Sequence, residues 1–330
     1  MNLDFTSTTA TQPANAAAVE EVARLRANRR HRKVTVLMGG FSAEREVSLS
    51  SGAAAVRALE SVGYAVQAVD VSRNVGALLH HLEQTSPDVV FNALHGRYGE
   101  DGCIQGMLNV LGVPYTHSGL MASALAMDKP MAKKLCASAG IAVAREKIVT
   151  REDLIAGDPI PVPYVVKPHN EGSSVGVAII TDTKSPRPFA THWPYGERVM
   201  AEEFIPGREL TTAIMGHHAL GVTEITTSHS FYDYDAKYAA GGSAHTLPAD
   251  LPADIYAEVQ RLAVVAHHVL GCRGVSRADF RYDGKRLVIL EVNTQPGMTP
   301  TSLVPEQAAL SGISFPDLCT WMVENAQCDT

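Results

Sequence analysis

Residues 275–293 read Val275-Ser-Arg-Ala-Asp279-Phe-Arg-Tyr282-Asp-Gly-Lys-Arg-Leu287-Val-Ile-Leu-Glu291-Val-Asn293. Two largely apolar stretches flank Asp283-Gly284, a dipeptide typical of hairpin turns, so the segment predicts two antiparallel strands. Side chains alternate between the two faces of a strand, which places Glu291 and Asn293 on one face. The segment therefore predicts a hairpin that carries polar side chains on an apolar background.

The length of the turn decides whether Asp279 joins that face. A loop of two residues would set Asp279 opposite Val288, on the other face of the sheet. A loop of three residues with Gly284 left-handed sets Asp279 opposite Ile289, on the same face as Glu291. We expect the three-residue loop if the three polar side chains act together.

Asp279, Glu291 and Asn293 would then present three oxygen-bearing side chains to one site. Mg²⁺ prefers such hard ligands and takes its remaining ligands from water and nucleotide phosphates. A carboxylate on an apolar strand also needs a partner, because burying it alone is unfavourable. The alternative is that Glu291 faces solvent or forms an ion pair with Arg277.

The composition excludes several classes of protein. The 330 residues, 45% of them hydrophobic, are enough for two or three compact units. The formal net charge of -7 gives no basic excess for a nucleic-acid backbone. The five cysteines are scattered without a Cys-x-x-Cys pair, which argues against disulfides and zinc and favours a reducing cytoplasm. No stretch has the length of a membrane helix, so we expect neither nucleic acid nor a membrane as a partner.

The pattern of apolar residues predicts three units after an extension. Apolar strands alternate with amphipathic helices over residues 32–118, which predicts a small parallel sheet. Residues 119–209 predict a helix and short antiparallel strands, and residues 210–330 predict more strands, a long helix and the hairpin. We expect residues 1–31 to be a mobile N-terminal extension. A transit peptide is the alternative, weakened by the acidic residues in this stretch.

A loop rich in small residues follows the predicted strand that ends at Lys167. It reads Glu171-Gly-Ser-Ser-Val-Gly176. The backbone amides of such a loop can close over phosphates, and Lys167 supplies a positive charge. The loop lacks the Walker pattern. A plain hairpin turn is the alternative interpretation.

Four motifs are longer and more specific. They are Gly39-Gly-Phe-Ser-Ala-Glu-Arg-Glu-Val-Ser-Leu49, His95-Gly-Arg-Tyr-Gly-Glu-Asp-Gly102, Phe231-Tyr-Asp-Tyr-Asp-Ala-Lys-Tyr238 and Asn293-Thr-Gln-Pro-Gly-Met-Thr299. Together with Lys129, Lys167 and the hairpin, and in their order along the chain, these motifs resemble those of the D-alanine–D-alanine ligases of the ATP-grasp superfamily. The resemblance covers residues 33–318. It implies an α/β protein in which an ATP-grasp fold, with an α+β C-terminal part, follows a Rossmann-like N-terminal domain with a small parallel sheet.

The resemblance implies an ATP-dependent ligase for peptidoglycan precursors. Two D-alanine molecules would be joined into D-alanyl-D-alanine through an acyl phosphate, with release of ADP and phosphate. Two Mg²⁺ or Mn²⁺ ions in each active site, a cytoplasmic location and a homodimer are further expectations. The alternatives are a D-alanyl-D-lactate or D-alanyl-D-serine ligase, and a catalytically inactive ATP-grasp binding protein.

The resemblance also assigns nucleotide and metal contacts to residues of the two ATP-grasp units. The implied ATP-binding residues are Lys129, Lys167, Ser173, Ser174, Glu202, Glu203, Phe204, Ile205, Glu209 and Lys237. The implied metal ligands are Asp279, Glu291 and Asn293. On their chemistry alone, Phe204 and Ile205 are more typical of core positions.

Catalysis and substrate binding are assigned to residues from both ends of the chain. The implied catalytic residues are Glu44, Ser173, Tyr238, Arg277 and Gly297. The implied substrate-binding residues are Glu44, His95, Ser302 and Leu303. Glu44 would bind the ammonium of the first D-alanine, and Glu46 is the neighbouring alternative. His95 is equally consistent with a buried structural histidine.

Residues 231–238 resemble the mobile lid of the family, which excludes water from reactive intermediates. Lys237 would contact phosphate, and Tyr238 would bond to Ser173. Related ligases that make D-alanyl-D-lactate carry a different lid without this tyrosine, so Tyr238 favours an amine as the nucleophile. A surface loop is the alternative interpretation of this segment.

Overall fold

A parallel sheet of three strands forms the N-terminal unit. The computed structural model of the chain describes residues 16–27, 31–168, 177–184, 196–227, 242–299 and 301–329. The strands are β1 (Lys33–Gly39), β2 (Ala65–Val71) and β3 (Val89–Asn92), in the order β2-β1-β3. The flanking helices are α2 (Arg45–Ser61), α3 (Val75–Thr85) and α4 (Cys103–Leu111). The central strand β1 is apolar on both faces because helices cover both sides of the sheet. The expected small parallel sheet is confirmed.

Helix α1 (Ala16–Ala27) corrects the expectation of a mobile extension for residues 16–27. Its Ala18 and Val22 are buried in the N-terminal core, where α1 packs against α10 (Phe315–Glu324). Arg26 also forms an ion pair with Asp317 of α10. Two small apolar side chains four positions apart lie on one helix face, which is enough for close helix packing.

An antiparallel sheet of four strands forms the middle of the chain. Its strands are β4 (Glu146–Thr150), β5 (Tyr164–Lys167), β6 (Ala178–Ile180) and β7 (Arg198–Glu203), in the order β4-β7-β5-β6. One face of this sheet is apolar and packs over the short helix α7 (Arg151–Ala156). The pairing of Glu146 with Glu202 and of Lys167 with Met200 places these three charged side chains on the opposite face.

An antiparallel sheet of five strands forms the C-terminal unit. Its strands are β8 (Arg208–Met215), β9 (His218–Thr227), β10 (Ser243–Thr246), β11 (Val275–Tyr282) and β12 (Leu287–Asn293), in the order β10-β9-β8-β11-β12. Helix α8 (Ala253–Val269) covers one face, and α9 (Leu303–Leu310) packs against the other. None of the helices in the described ranges is both long and apolar enough to cross a membrane.

Helices α5 (Leu120–Met127) and α6 (Lys129–Ser138) belong to the core of the C-terminal sheet. Ala126 and Ala132 are buried there together with Phe280 and Val292. The sequence-based division at residue 119 assigned these helices to the middle unit. Their apolar faces instead meet the hairpin, which brings the first residue of α6 to the polar face of β12.

The β11–β12 hairpin has a longer loop than expected. Tyr282 pairs with Leu287, so residues 283–286 separate the strands. Asp283 closes the turn by accepting backbone hydrogen bonds of 2.9 and 2.7 Å within the loop. Gly284 has a φ of +91°, which agrees with the left-handed conformation expected for it.

A β-bulge restores the face that this longer loop would otherwise change. In an uninterrupted ladder Asp279 would lie opposite Leu290, but the register shifts between Asp279 and Phe280 and sets Asp279 opposite Glu291. The expected shared face of the two carboxylates is therefore confirmed. The predicted three-residue loop and the predicted partner Ile289 are wrong.

A buried histidine predicts how the stability of the fold depends on pH. His267 of α8 is buried and lies 2.7 Å from the Ser276 hydroxyl of β11. Burial, with help from His268 and His217, lowers the pKa of His267 to about 3. Below pH 6.5 the unfolded chain therefore binds a proton that the folded chain excludes. The stability of the fold consequently decreases as the pH is lowered from about 6.5 towards 3.

We expect urea unfolding of a His267→Asn variant to show about 2 kcal/mol less loss of stability between pH 7 and pH 5 than the unchanged chain. His80→Asn, at an exposed position of α3, is the control and should follow the unchanged chain. Equal pH dependence in both variants would contradict this assignment.

Candidate active site

The polar face of β11–β12 is the centre of the candidate site. Asp279 lies directly opposite Glu291, and Arg277 lies directly opposite Asn293. Arg277 donates to both carboxylate oxygens of Asp279, at 2.8 and 2.7 Å. Thr211 of β8 donates a further hydrogen bond of 2.6 Å to Asp279 Oδ1. Arg277 is thus paired with Asp279, whereas the partner considered from the sequence was Glu291.

Three lysines bring positive charge to the acidic side chains of two sheets. Lys129 begins α6, where the Asp128 side chain caps the helix, and its Nζ lies 3.3 Å from Glu291 Oε2. Lys133 follows one helical turn later on the same face of α6. Its Nζ lies 2.5 Å from Glu202 Oε1 on β7. Lys167 at the end of β5 lies 2.6 Å from the other oxygen of Glu202.

The lysines keep Glu202 charged despite its burial. Glu202 is only 2% exposed, and burial alone would raise its pKa. The attraction of Lys167 and Lys133 outweighs that effect and lowers the pKa of Glu202 below its ordinary value. Burial likewise opposes the charge on Lys167, but Glu202 more than offsets it and raises the pKa of Lys167. Both groups therefore remain ionised at neutral pH.

The residues after β7 line the edge between the middle and C-terminal sheets. Ile205 is buried, and its carbonyl accepts a hydrogen bond of 3.0 Å from Arg281. Arg281 also pairs with Glu209 at 3.0 Å and lies over the Phe204 ring at 5.8 Å. Glu203 forms an ion pair of 3.3 Å with Arg286 in the hairpin loop. Ile205 belongs to a small buried apolar cluster with Ala144 and Val288, and the acidic groups lie beside it.

Glu44 and His95 occupy the carboxyl end of the N-terminal sheet. Glu44 is 6% exposed, whereas the alternative Glu46 is exposed to solvent. Gly96 lies so close that an added Cβ would come within 2.8 Å of Glu44 Oε2. His95 is buried, and its Nε2 lies 3.2 Å from the Ser51 hydroxyl. The loop of His95 therefore closes over Glu44.

Two buried links join this N-terminal end to the segment after β12. The Ser51 hydroxyl accepts a hydrogen bond of 3.2 Å from the Met298 amide. The Gln295 side chain accepts a hydrogen bond of 2.8 Å from the Asn92 side chain and donates one to the Leu94 carbonyl. The backbone amide of Gln295 in turn donates a hydrogen bond of 2.8 Å to Asn293 Oδ1. Hydrogen bonds thus connect the carboxyl end of the N-terminal sheet to the polar face of β12.

Helix α9 starts at the same segment. Its N-cap is Ser302, whose side chain makes no capping hydrogen bond to the helix and lies 2.7 Å from the Thr299 hydroxyl. The backbone amide of Leu303 therefore belongs to a helix N-terminus that the Ser302 side chain does not cap, an arrangement that suits a carboxylate. A Cβ at Gly297 would come within 2.9 Å of Ser302 Oγ, so glycine permits close approach there.

The chain also matches known proteins over most of its length. Two family models match, "D-ala D-ala ligase C-terminus" at residues 135–324 and "D-ala D-ala ligase N-terminus" at residues 78–118. Identity reaches 63% over 306 residues with a protein named D-alanine–D-alanine ligase from Paramagnetospirillum magneticum, covering 90% of this chain and 99% of that protein. The chain belongs to the D-alanine–D-alanine ligase family.

Other members of the D-alanine–D-alanine ligase family support this assignment. The protein of that name from Rhodospirillum rubrum is 61% identical over 299 residues, covering 90% of this chain and 99% of that protein. The crystal structure of the Bacillus anthracis ligase complexed with ATP superposes with a TM-score of 0.72 at 30% identity, covering 89% and 96% of the two chains. The ATP-grasp fold expected from the sequence is confirmed.

Four residues expected at the site of this family member lie outside the described ranges. They are Ser173, Ser174, Lys237 and Tyr238. The other expected residues fall into two groups, one around the hairpin and the lysines, and one around Glu44, His95 and helix α9. The links through Ser51 and Gln295 connect these two groups.

Sequence reasoning missed Lys133, Glu146, Thr211, Ser51 and Gln295. Lys133 carried a usable signal, because it follows Lys129 by four residues and so shares its helix face. Thr211 lies in a run of buried residues on β8, next to Thr212, and nothing in this pattern distinguishes it from a core threonine. Ser51 and Gln295 act through contacts across the fold, which no local pattern shows.

The hydrogen bond between Ser51 and Met298 can be tested by its effect on stability. We expect Ser51→Ala to lower the free energy of unfolding by about 1–3 kcal/mol, because the Met298 amide would lose its partner in a buried position. Urea unfolding with far-UV circular dichroism measures the change. Ser50→Ala, at the exposed neighbouring serine, is the matched control and should change stability by less than about 0.5 kcal/mol. Equal stabilities of the two variants would refute the link.

Proposed function

We propose that the chain joins two D-alanine molecules into D-alanyl-D-alanine and converts ATP to ADP and phosphate. The observation that carries this proposal is the placement of Asp279 opposite Glu291, with Arg277 and Lys129 beside them. Carboxylates and cations on one face suit a phosphorylated substrate and its counter-ions. The identity of 63% with a protein named D-alanine–D-alanine ligase supports the same reaction.

The chemistry requires activation of a carboxylate. A free carboxylate is a poor electrophile, and phosphoryl transfer from ATP converts it to an acyl phosphate with a good leaving group. The amine of the second D-alanine then attacks the acyl carbon, and phosphate leaves. Such a reaction depends on positioning and on neutralising charge more than on a covalent enzyme intermediate.

The nucleotide would occupy the edge between the middle and C-terminal sheets. The apolar side chains of Phe204 and Ile205 suit adenine, Glu202 and Glu203 would bind its polar edge, and Glu209 would bind the ribose. Lys129 and Lys167 supply positive charge for the phosphates. Both lysines are paired with carboxylates here, so phosphate oxygens would take over partners that already hold these cations.

The donor set on the hairpin fits divalent cations. Asp279, Glu291 and Asn293 offer two carboxylates and an amide oxygen on one face, the set that Mg²⁺ or Mn²⁺ takes together with nucleotide phosphates. Two such ions, when bound, would offset charge on the transferring phosphoryl group.

The substrate residues divide between the two D-alanine molecules. Glu44 would bind the ammonium of the first, and the buried His95 would support the site of the second. The Ser302 hydroxyl and the Leu303 amide suit the carboxylate of the second. Arg277, with its planar fork of donors, suits the acyl phosphate oxygens. The Gly297 amide would stabilise the developing oxyanion.

The remaining expectations belong to the same proposal. Ser173 and Tyr238 would act with Glu44, while Ser174 and Lys237 would contact ATP. The five cysteines carry no disulfide, which suits a cytoplasmic location. A homodimer stays a prediction. D-lactate and D-serine ligases, or an inactive binding protein, are the alternatives that the experiment below separates.

The purified chain should release ADP with D-alanine alone, at a rate well above that with L-alanine. Coupled assays with D-alanine plus D-lactate, and with D-alanine plus D-serine, at several pH values test the second substrate. Mass spectrometry of the product identifies the bond formed. Preference for D-lactate would contradict an amine nucleophile, and binding of ATP and D-alanine without ADP release would support an inactive protein.

The role of Glu291 on the polar face of the hairpin can be tested by substitution. Glu291→Gln should lower kcat at least about 100-fold, because the site loses a full negative charge toward its cations. The fold should persist, since the side chain is partly exposed and outside the core. Glu258→Gln on the exposed face of α8 is the control and should keep the rate within about twofold. Full turnover by Glu291→Gln would remove this residue from the proposed mechanism.

A further inference from the structure

Lys133 lies between two carboxylates that face each other across one strand pair. Glu146 of β4 is directly opposite Glu202 of β7. Like charges in this position repel each other. Lys133 Nζ lies 2.5 Å from Glu202 Oε1, to which it donates a hydrogen bond, and 2.5 Å from Glu146 Oε2, as an ion pair. Its side chain is only 4% exposed, so this ammonium is built into the protein interior.

The charges of this cluster balance only when both Lys133 and Lys167 are present. Each oxygen of Glu202 receives one ammonium, Oε1 from Lys133 and Oε2 from Lys167. Glu146 supplies the second negative charge. Two lysines and two glutamates therefore form a neutral group, which is the condition for keeping charges in a buried place.

Nucleotide binding would disturb this balance on one side. If Lys167 turns toward the phosphates, Glu202 Oε2 loses its partner while the carboxylate stays buried. A buried carboxylate without a counter-ion is strongly unfavourable, so Glu202 would hold Lys167 back. Lys133 lowers that obstacle, because it remains on the other oxygen and is held by α6.

We propose that Lys133 is a positioning residue for ATP: it keeps the Glu202 carboxylate compensated and in place while Lys167 contacts the phosphates. This rests on the proposed function only in taking ATP as the ligand. Lys133 itself touches neither phosphate nor D-alanine in this scheme. Its effect on ATP should therefore depend on the negative charge of Glu202.

The test is a double-mutant cycle on nucleotide affinity. Isothermal titration calorimetry with adenylyl imidodiphosphate and Mg²⁺ gives Kd for the unchanged chain, Lys133→Met, Glu202→Gln and the double variant. We expect Lys133→Met to raise Kd about tenfold, a coupling usual for charged groups in contact. In the Glu202→Gln background the same change should raise Kd less than about twofold. Lys134→Met, at the exposed neighbouring lysine, is the matched control and should leave Kd unchanged.

Steady-state kinetics provide a second readout. Lys133→Met should raise KM for ATP and leave KM for D-alanine within about twofold, whereas general damage to the fold would change both. An unchanged Kd in Lys133→Met, or equal increases in both backgrounds, would overturn the proposal. If Lys133→Met does not fold, Glu202→Gln and the double variant still decide, because a large difference in Kd between them would contradict the proposal.

These outcomes are separable from failure of the proposed reaction. A chain that binds adenylyl imidodiphosphate but forms no ADP with D-alanine would refute the ligase reaction alone. The Kd cycle would still report on Lys133 in that case. A chain in which the cycle fails while ADP forms would refute the role of Lys133 alone.

Discussion

Asp279 and Glu291 lie directly opposite each other on neighbouring strands, a placement that is unfavourable for two like charges. Arg277 and Lys129 balance them from the same strand and from the start of α6. The same arrangement recurs in the middle sheet, where Glu146 faces Glu202 and lysines compensate both. In both sheets, opposed carboxylates are thus paired with lysine or arginine side chains. A nucleotide carries both phosphate and metal charge, and in the proposed complex these partners would exchange without leaving charges unpaired.

The rest of the fold keeps these charged faces in register with the substrate end. Helix α6 packs in the core of the C-terminal sheet, so Lys129 and Lys133 are held relative to the hairpin. Ser51 and Gln295 then tie the N-terminal sheet to the segment between β12 and α9. Buried polar links of this kind fix orientation because a misplaced partner would leave a donor unpaired. The proposed D-alanine and nucleotide sites are therefore held in a fixed relative position.

Much of this arrangement could be predicted from the sequence, where local periodicity carries the information. The strands and the shared face of Glu291 and Asn293 follow from side-chain alternation. The register of Asp279 could not be derived, because the loop and the bulge each shift it by one residue and only their sum restores the face. Helix α1 was missed because its buried face consists of small residues, and Lys133 because its partners come from two distant strands. Roles in binding ATP and D-alanine came from the resemblance to the family and not from local pattern.

The central claim is that the opposed carboxylates of the hairpin hold divalent cations together with a nucleotide. Anomalous diffraction from crystals grown with Mn²⁺ and adenylyl imidodiphosphate tests it most directly. The account predicts manganese peaks within about 2 Å of oxygens of Asp279, Glu291 and Asn293, with phosphate oxygens completing the coordination. Manganese bound to phosphate alone, with Asp279 still held by Arg277 and Glu291 by Lys129, would contradict it.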